Sequence, residues 1–223
     1  MDTIFRGNLI STRGRALAWA DSLFVDHAIL RLLWSNFATV LAGRLYRSNH
    51  PTPRRLGRLV RRHGIRSLIN LRGACGNGSD ALSRAEAARL GLLFIDAPLS
   101  SGRAPQRDEV LTLAAALRRS AEPILVHCKS GADRAGFAAA LFLLLEGRSA
   151  AEALRQLSLR HGHWHRSRAG VLDAFLLRYA REAEGRKPFL EWLRQDYDAA
   201  TLGAEFRSGH FADFLTHRVL RRE

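Results

Sequence analysis

The sequence predicts an α/β domain: a central, largely parallel sheet flanked by helices, with helical extensions at both ends. Three observations carry this. From about residue 44, short apolar runs alternate with longer segments of helical period. The boundaries between them carry matching start and stop residues, such as Thr52 with Pro53 before one helical segment and Gly64 after it. Finally, 223 residues with 47% apolar content are enough to bury a substantial core.

Taken in order, residues 15–42 read as helical, with Leu23, Phe24, Ile29, Leu30, Leu33, Trp34 and Phe37 recurring at spacings of three and four. This stripe wants a partner, either the rest of the fold or, with Arg13, Arg15 and Arg31, an anionic lipid surface. A helix from Thr52 to Gly64 precedes a strand at 65–71, and a second helix at 80–90 stops at Gly91 before a strand at 92–97. A third helix follows Pro105, and the run 124–127 is a short apolar strand. Residues 135–145 are apolar all round and therefore form a buried helix. Ser149 with Glu152 makes a capping box for the next helix, residues 169–184 form another, and two aromatic-bearing segments around 189–193 and 211–215 read as helices closing over the core.

The charge balance is +14, and all but two of the 35 basic residues are arginine. Arginine grips phosphate oxygens in pairs, so a phosphate-bearing partner is expected. The arginines are scattered and no recognised nucleic-acid motif organises them, which argues against DNA or RNA. Two cysteines, Cys75 and Cys128, exclude a disulfide scaffold and fit a reducing compartment. The early apolar stretch is interrupted by Asp21, Asp26, His27 and Arg31, so it lacks the ~18 uninterrupted apolar residues of a membrane span. With no signal peptide evident, the expectation is a cytoplasmic protein, with peripheral membrane contact left open.

The chemistry concentrates in His127-Cys128-Lys129-Ser130-Gly131-Ala132-Asp133-Arg134. A cysteine with an arginine six residues on is weak evidence in so arginine-rich a chain, and context supplies the specificity. The segment joins a buried strand to a buried helix, with Gly131 inside the turn and Gly136 just after it. Backbone N–H groups of such a turn make an anion nest at the positive end of a helix. The same donors favour a thiolate, the nucleophilic form of a thiol that otherwise titrates near 8.5, and Arg134 can hold two phosphoryl oxygens at once.

Val126 to Gly136 resembles the signature loop of the protein tyrosine and dual-specificity phosphatases, His-Cys-x5-Arg followed by Ser or Thr and Gly. The stretch Leu45-Tyr46-Arg47-Ser48-Asn49-His50-Pro51, followed by residues 64–72, is similar to the opening of small bacterial members of the dual-specificity branch. The resemblance spans about residues 44–180. It implies a dual-specificity-phosphatase-like domain at 44–183 between helical extensions at 1–43 and 184–223. It further implies a phosphocysteine at Cys128, a phosphate cradle formed by Arg134 and residues 127–132 (His127, Lys129, Ser130, Gly131 and Ala132), and hydrolysis without metal or cofactor. The implied substrate is a phosphorylated protein, while the basic balance keeps a phosphorylated lipid or small molecule open.

Two positions depart from the family pattern. Ala135 stands where a Ser or Thr usually assists the second step, which raises the alternative of a slow or purely phosphate-binding pseudophosphatase. The loop after the strand at 92–97, where the proton donor usually sits, contains no acid. Asp133, inside the signature loop, and Asp96, 32 residues before Cys128, are the leading candidates for that donor, with Asp108 better explained as a first-turn residue complementing a helix dipole. Arg72 and Arg47 are candidates for substrate contact or surface ion pairs. His161, His163 and His165 alternate as metal ligands can, yet lack an acidic or cysteine partner nearby in sequence, and read as a loop flanking the pocket. His127 is expected to support the loop through hydrogen bonds. Cys75 is either an ordinary half-buried thiol or a partner for Cys128 in a reversible disulfide.

Overall fold

A computed structural model of the chain describes residues 3–5, 7, 9–26 and 34–207. Five strands form one sheet in the order β1-β2-β5-β3-β4, where β1 is Ala38–Leu41, β2 Leu45–Ser48, β3 Ser67–Asn70, β4 Leu93–Asp96 and β5 Ile124–His127. Only β1 runs antiparallel; β2, β5, β3 and β4 are mutually parallel. The register aligns Ser48, His127, Asn70 and Asp96 in one row across the carboxyl ends of these strands, with β5 in the middle. Loops leaving that row share one edge, where open α/β sheets carry their sites.

Side-chain alternation splits the core into two layers. Tyr46, Leu68 and Leu125 face helices α2 (Pro53–His63) and α3 (Gly78–Arg89) through Leu56 and Ala87. Leu45, Ile69, Ile124 and Val126 face α4 (Arg107–Arg119), α5 (Asp133–Leu145), α6 (Ala150–Leu154), α7 (Val171–Glu182) and α8 (Phe189–Gln195). As its composition predicts, α5 is buried along nearly its whole length. An aromatic cluster locks α8 to this layer, with Phe175 edge-on to Trp192, Phe189 and Tyr197. The last described helix, α9 (Ala199–Arg207), follows it. Capping matches the sequence reading: Thr52 and Ser149 accept from Arg55 N and Glu152 N, and Gly64 takes a left-handed conformation with φ 65°.

The N-terminal segment differs from its predicted form. Helix α1 covers Thr12–Ala20 and continues as a wider turn over Asp21–Val25. It packs on α3: the Gly78 N–H donates to Asp21 at 2.7 Å and the Ser22 and Ser79 hydroxyls meet at 2.8 Å. Residues 38–41, predicted as the helix's end, are instead strand β1. A turn through Gly43, with φ 72°, folds this strand back onto β2, and the β-branched Thr39 and Val40 suit the edge position. The helical spacing at 29–33 lies outside the described residues, as does the segment at 211–215. Among the described residues, no helix is long and apolar enough to cross a membrane.

Candidate active site

Strand β5 delivers Cys128 to the carboxyl edge of the sheet, and the chain then turns through Lys129–Ala132 into α5. The Cys128 thiol is 1% exposed, and its sulfur accepts from the Gly131 N–H at 3.2 Å. Gly131 has φ 79°, and a Cβ there would lie 2.6 Å from Asn49 N and 2.8 Å from the Ser48 carbonyl carbon, so only glycine fits.

The decisive feature of the loop is what holds its carbonyls. Lys129 O accepts from His50 N, and Ser130 O from the Asn36 side-chain amide at 3.1 Å. Gly131 O and Ala132 O accept from Arg47 Nη2 at 2.7 and 2.9 Å. In a trans peptide the C=O and the following N–H point in opposite directions. Drawing four successive carbonyls outward therefore turns the N–H groups of residues 130–133 to the other side, where that of Gly131 already meets the sulfur. The first N–H groups of α5 are free of intrahelical partners by geometry and add the positive end of the helix. Such an arrangement of N–H groups beside a buried sulfur is able to hold an anion.

Arg47 thus has a role that the sequence did not reveal. It is neither a substrate contact nor a surface ion pair, because it is fully buried behind the loop and also donates through Nη1 to Gln156. Gly136 makes room for it: a Cβ there would stand 3.0 Å from Arg47 Nη2 and 2.7 Å from Gln156 O. Burial pushes the Arg47 guanidinium down to about 10, and the charges of Cys128 and Asp133 only partly offset this.

Arg134 is the second residue of α5 and is half-buried, with Nη1 at 3.5 Å from Leu71 O. Lys129 is half-buried and lies 3.7 Å from the Asp26 carboxylate. Ser130 accepts from Ala132 N at 3.3 Å. The His127 ring stands edge-on to His50 with centroids 4.7 Å apart. Arg72 gives both terminal nitrogens to Asp26 at 2.8 Å each, and Nη1 also reaches His50 Nδ1 at 3.2 Å. Burial disfavours the charge on Arg72, but the Asp26 hydrogen bonds outweigh it and raise its pKa. Asp26, on the N-terminal segment, therefore reaches both Arg72 and a residue of the loop.

The two candidate acids sit differently. Asp96 ends β4 and is held by Arg84 Nη2 at 2.9 and 2.8 Å and by Asn70 Nδ2 at 2.9 Å. Asp133 is in the loop, with Oδ1 at 2.8 Å from His163 Nδ1. His163 is itself 1% exposed, and its Nε2 lies 2.6 Å from Asp173 Oδ2. Asp108 is in the first turn of α4. Position 135 is a fully buried alanine and so brings no hydroxyl to the loop. Cys75 is exposed and Cys128 buried, and both thiols are free. Among the described residues no group of three or more His, Cys, Asp or Glu side chains is placed to hold a metal ion. A cleft of about 670 Å³ between α2 and α3 is lined by Arg54, Arg58, Arg61 and Arg89 but contains no loop residue and no nucleophile.

Comparison with known proteins follows the same lines. A family model described as a polymorphic toxin system DSP-PTPase phosphatase matches residues 43–148, and one described as a tyrosine phosphatase family matches residues 96–218. No curated protein matches this chain. The fold is similar to that of P. aeruginosa TpbA, with a TM-score of 0.51 and 23% identity over 72% of this chain and 89% of TpbA. A form of TpbA in complex with pTyr matches at TM-score 0.50 and 22% identity, over 71% of this chain and 88% of that one. Tk-PTP in its active form matches at TM-score 0.51 and 20% identity, over 67% of this chain and 98% of Tk-PTP. At these identities the structural likeness speaks for the fold; the family model, which spans more than half of the residues and includes the whole loop from Cys128 to Arg134, speaks for kinship, and on it this chain belongs to the tyrosine phosphatase family.

Proposed function

We propose that this chain hydrolyses phosphate monoesters through a phosphocysteine at Cys128. The observation that carries the reading is the outward tethering of the carbonyls of residues 129–132, which leaves successive N–H groups to bind a phosphoryl group beside the sulfur. The thiolate attacks phosphorus, a bond forms to Sγ, and the ester oxygen departs with a proton from Asp133. Water then attacks phosphorus and gives a proton back to the Asp133 carboxylate, releasing inorganic phosphate and regenerating the thiolate. Arg134 holds two of the equatorial oxygens throughout. Asp133 is preferred to Asp96 as the acid because it lies in the loop, whereas Arg84 and Asn70 engage both oxygens of Asp96.

The substrate class is a phosphorylated protein, with phosphotyrosine first to be tested because a fold relative has been solved with it. Wild type and Cys128→Ser are compared on p-nitrophenyl phosphate, a phosphotyrosine peptide and a phosphoinositide. Turnover that vanishes in Cys128→Ser is expected, and equal activity in the two would overturn the mechanism. Tight vanadate binding without turnover on any ester would instead establish the pseudophosphatase reading that the buried Ala135 supports.

A further inference from the structure

The geometry points to His163 as a positioning residue that stores the proton of the loop acid: it holds Asp133 through Nδ1, supplies its proton for the departing ester oxygen, and is itself held by Asp173. This rests on Asp133 being the acid of the proposed reaction.

His163 follows Gly162, whose φ of 76° ends a short turn, and this places the imidazole between the first turns of α5 and α7. Both ring nitrogens face carboxylate oxygens, at 2.8 Å on the Asp133 side and 2.6 Å on the Asp173 side. A neutral imidazole donates from one nitrogen only, so two such contacts require two hydrogens shared among the three groups. Either the imidazole is an imidazolium between two carboxylates, or it is neutral and one carboxylic acid donates to it. With Asp173 as the constant partner, these forms differ by one proton moving between His163 Nδ1 and Asp133 Oδ1. That is the transfer an acid in the loop needs. In the first step the proton passes from Nδ1 to Asp133 and from Asp133 to the ester oxygen, leaving a neutral imidazole that keeps Nε2–H on Asp173. In the second step the proton of the attacking water returns along the same path, so nothing is gained or lost over a cycle.

The surroundings support the charged resting form. The groups that face His163 are Asp133 from α5 and Asp173 from α7, and Arg47 acts on Asp133 from behind the loop. Burial of the ring opposes its charge, but the hydrogen bonds to Asp133 and Asp173 outweigh it and raise its pKa to about 9. The ring is 1% exposed, so bulk water does not reload it freely and Asp133 is its outlet toward the loop. His161, two residues earlier, is of the opposite character. Burial, with Arg47 and Arg160, lowers it to about 4, so it is neutral at pH 7.

The test combines turnover with a readout that needs none. In nitrogen-15 NMR of histidine-labelled wild type, both nitrogens of His163 are expected to be protonated at pH 8, and Asp173→Asn is expected to bring the titration midpoint down by at least one pH unit. A neutral His163 at pH 8 would overturn the inference. In kinetics, phenyl phosphate has the poorer leaving group and p-nitrophenyl phosphate the better. His163→Gln, which keeps a hydrogen-bonding amide without a titrating proton, should lower kcat on phenyl phosphate by about 100-fold and on p-nitrophenyl phosphate by less than tenfold. It should also abolish the alkaline limb of the pH profile, with vanadate affinity preserved. Asp133→Asn separates the two layers of the argument. If it spares phenyl phosphate turnover, the assignment of the acid fails. If it slows that turnover while His163→Gln does not, the assignment stands and the proton store alone is refuted.

Discussion

Replacing Arg47 distinguishes a residue that orients the loop from one that merely supplies charge. In Arg47→Met, Ala132 O keeps the helical N–H of Gly136 at 3.2 Å, but Gly131 O and Gln156 O lose their charged donors. Two buried carbonyls left without donors cost roughly 1–3 kcal/mol each, about 4 kcal/mol together. Against this, burial holds Arg47 near 10 rather than 12.5. At about 1.4 kcal/mol per unit, that is a net penalty on the buried charge of about 3 kcal/mol that the variant no longer carries. The two nearly cancel, and Met should be less stable than wild type by only about 1 kcal/mol. Arg47→Lys keeps the buried charge but cannot reach Gln156 O and both loop carbonyls at once, so it should be less stable than Met. Catalysis does not share the cancellation, because the Gly131 carbonyl loses its tether and the N–H of Ala132 loses its fixed orientation with it. One such donor is worth about 10²–10³ in kcat, so kcat/KM for p-nitrophenyl phosphate should fall at least 100-fold in both variants. Urea denaturation gives the stability order and initial rates give the activity. A Lys variant more stable than Met, with near-normal kcat/KM, would show that Arg47 acts as a point charge, and the orientation argument would be wrong.

Two further outcomes follow from the same geometry. Gly131→Ala should destabilise by about 2–4 kcal/mol and weaken vanadate binding, since φ 79° and backbone atoms 2.6 and 2.8 Å from the new Cβ leave it no room; a melting temperature within a degree of wild type would contradict this. His163 has a folded-state pKa raised to about 9 from 6.5, so its contribution, about 3 kcal/mol at most, is fully present below pH 6.5 and is lost as pH rises through 9. Urea midpoints measured from pH 6 to 10 should show that fall in wild type and not in His163→Gln.

The loop was legible because everything that defines it is contiguous: a buried strand, a glycine turn, an arginine and an apolar helix all fall within residues 124–145. The caps at Thr52, Gly64 and Ser149 were legible for the same reason, since each acts on a neighbour three or four residues away. What supports the loop was not. Arg47 looks like any strand arginine until α5 and Gln156 close over it, 109 residues further on. Asp173 lies ten residues after His163 and Asp133 thirty before it, and no local period joins them. The alternating histidines marked the segment as polar and unusual, but nothing local separated the buried His163 from the exposed His165. Strand β1 was missed because apolar residues three and four apart continued up to Phe37, and only pairing with β2 decides that 38–41 are extended.

The contact of Asp26 with Arg72 and Lys129 bears on how an anion is drawn to this surface. The single Asp26 carboxylate offsets one of those two positive charges, so the cluster adds only about one net charge to the field that the +14 chain exerts at a distance. At contact range Arg134 and the backbone dipoles of the loop add to that field, and they are hardly screened by dissolved salt. The rate of capture should therefore fall as salt screens the long-range field, while the grip on a phosphoryl group already seated in the loop should change little.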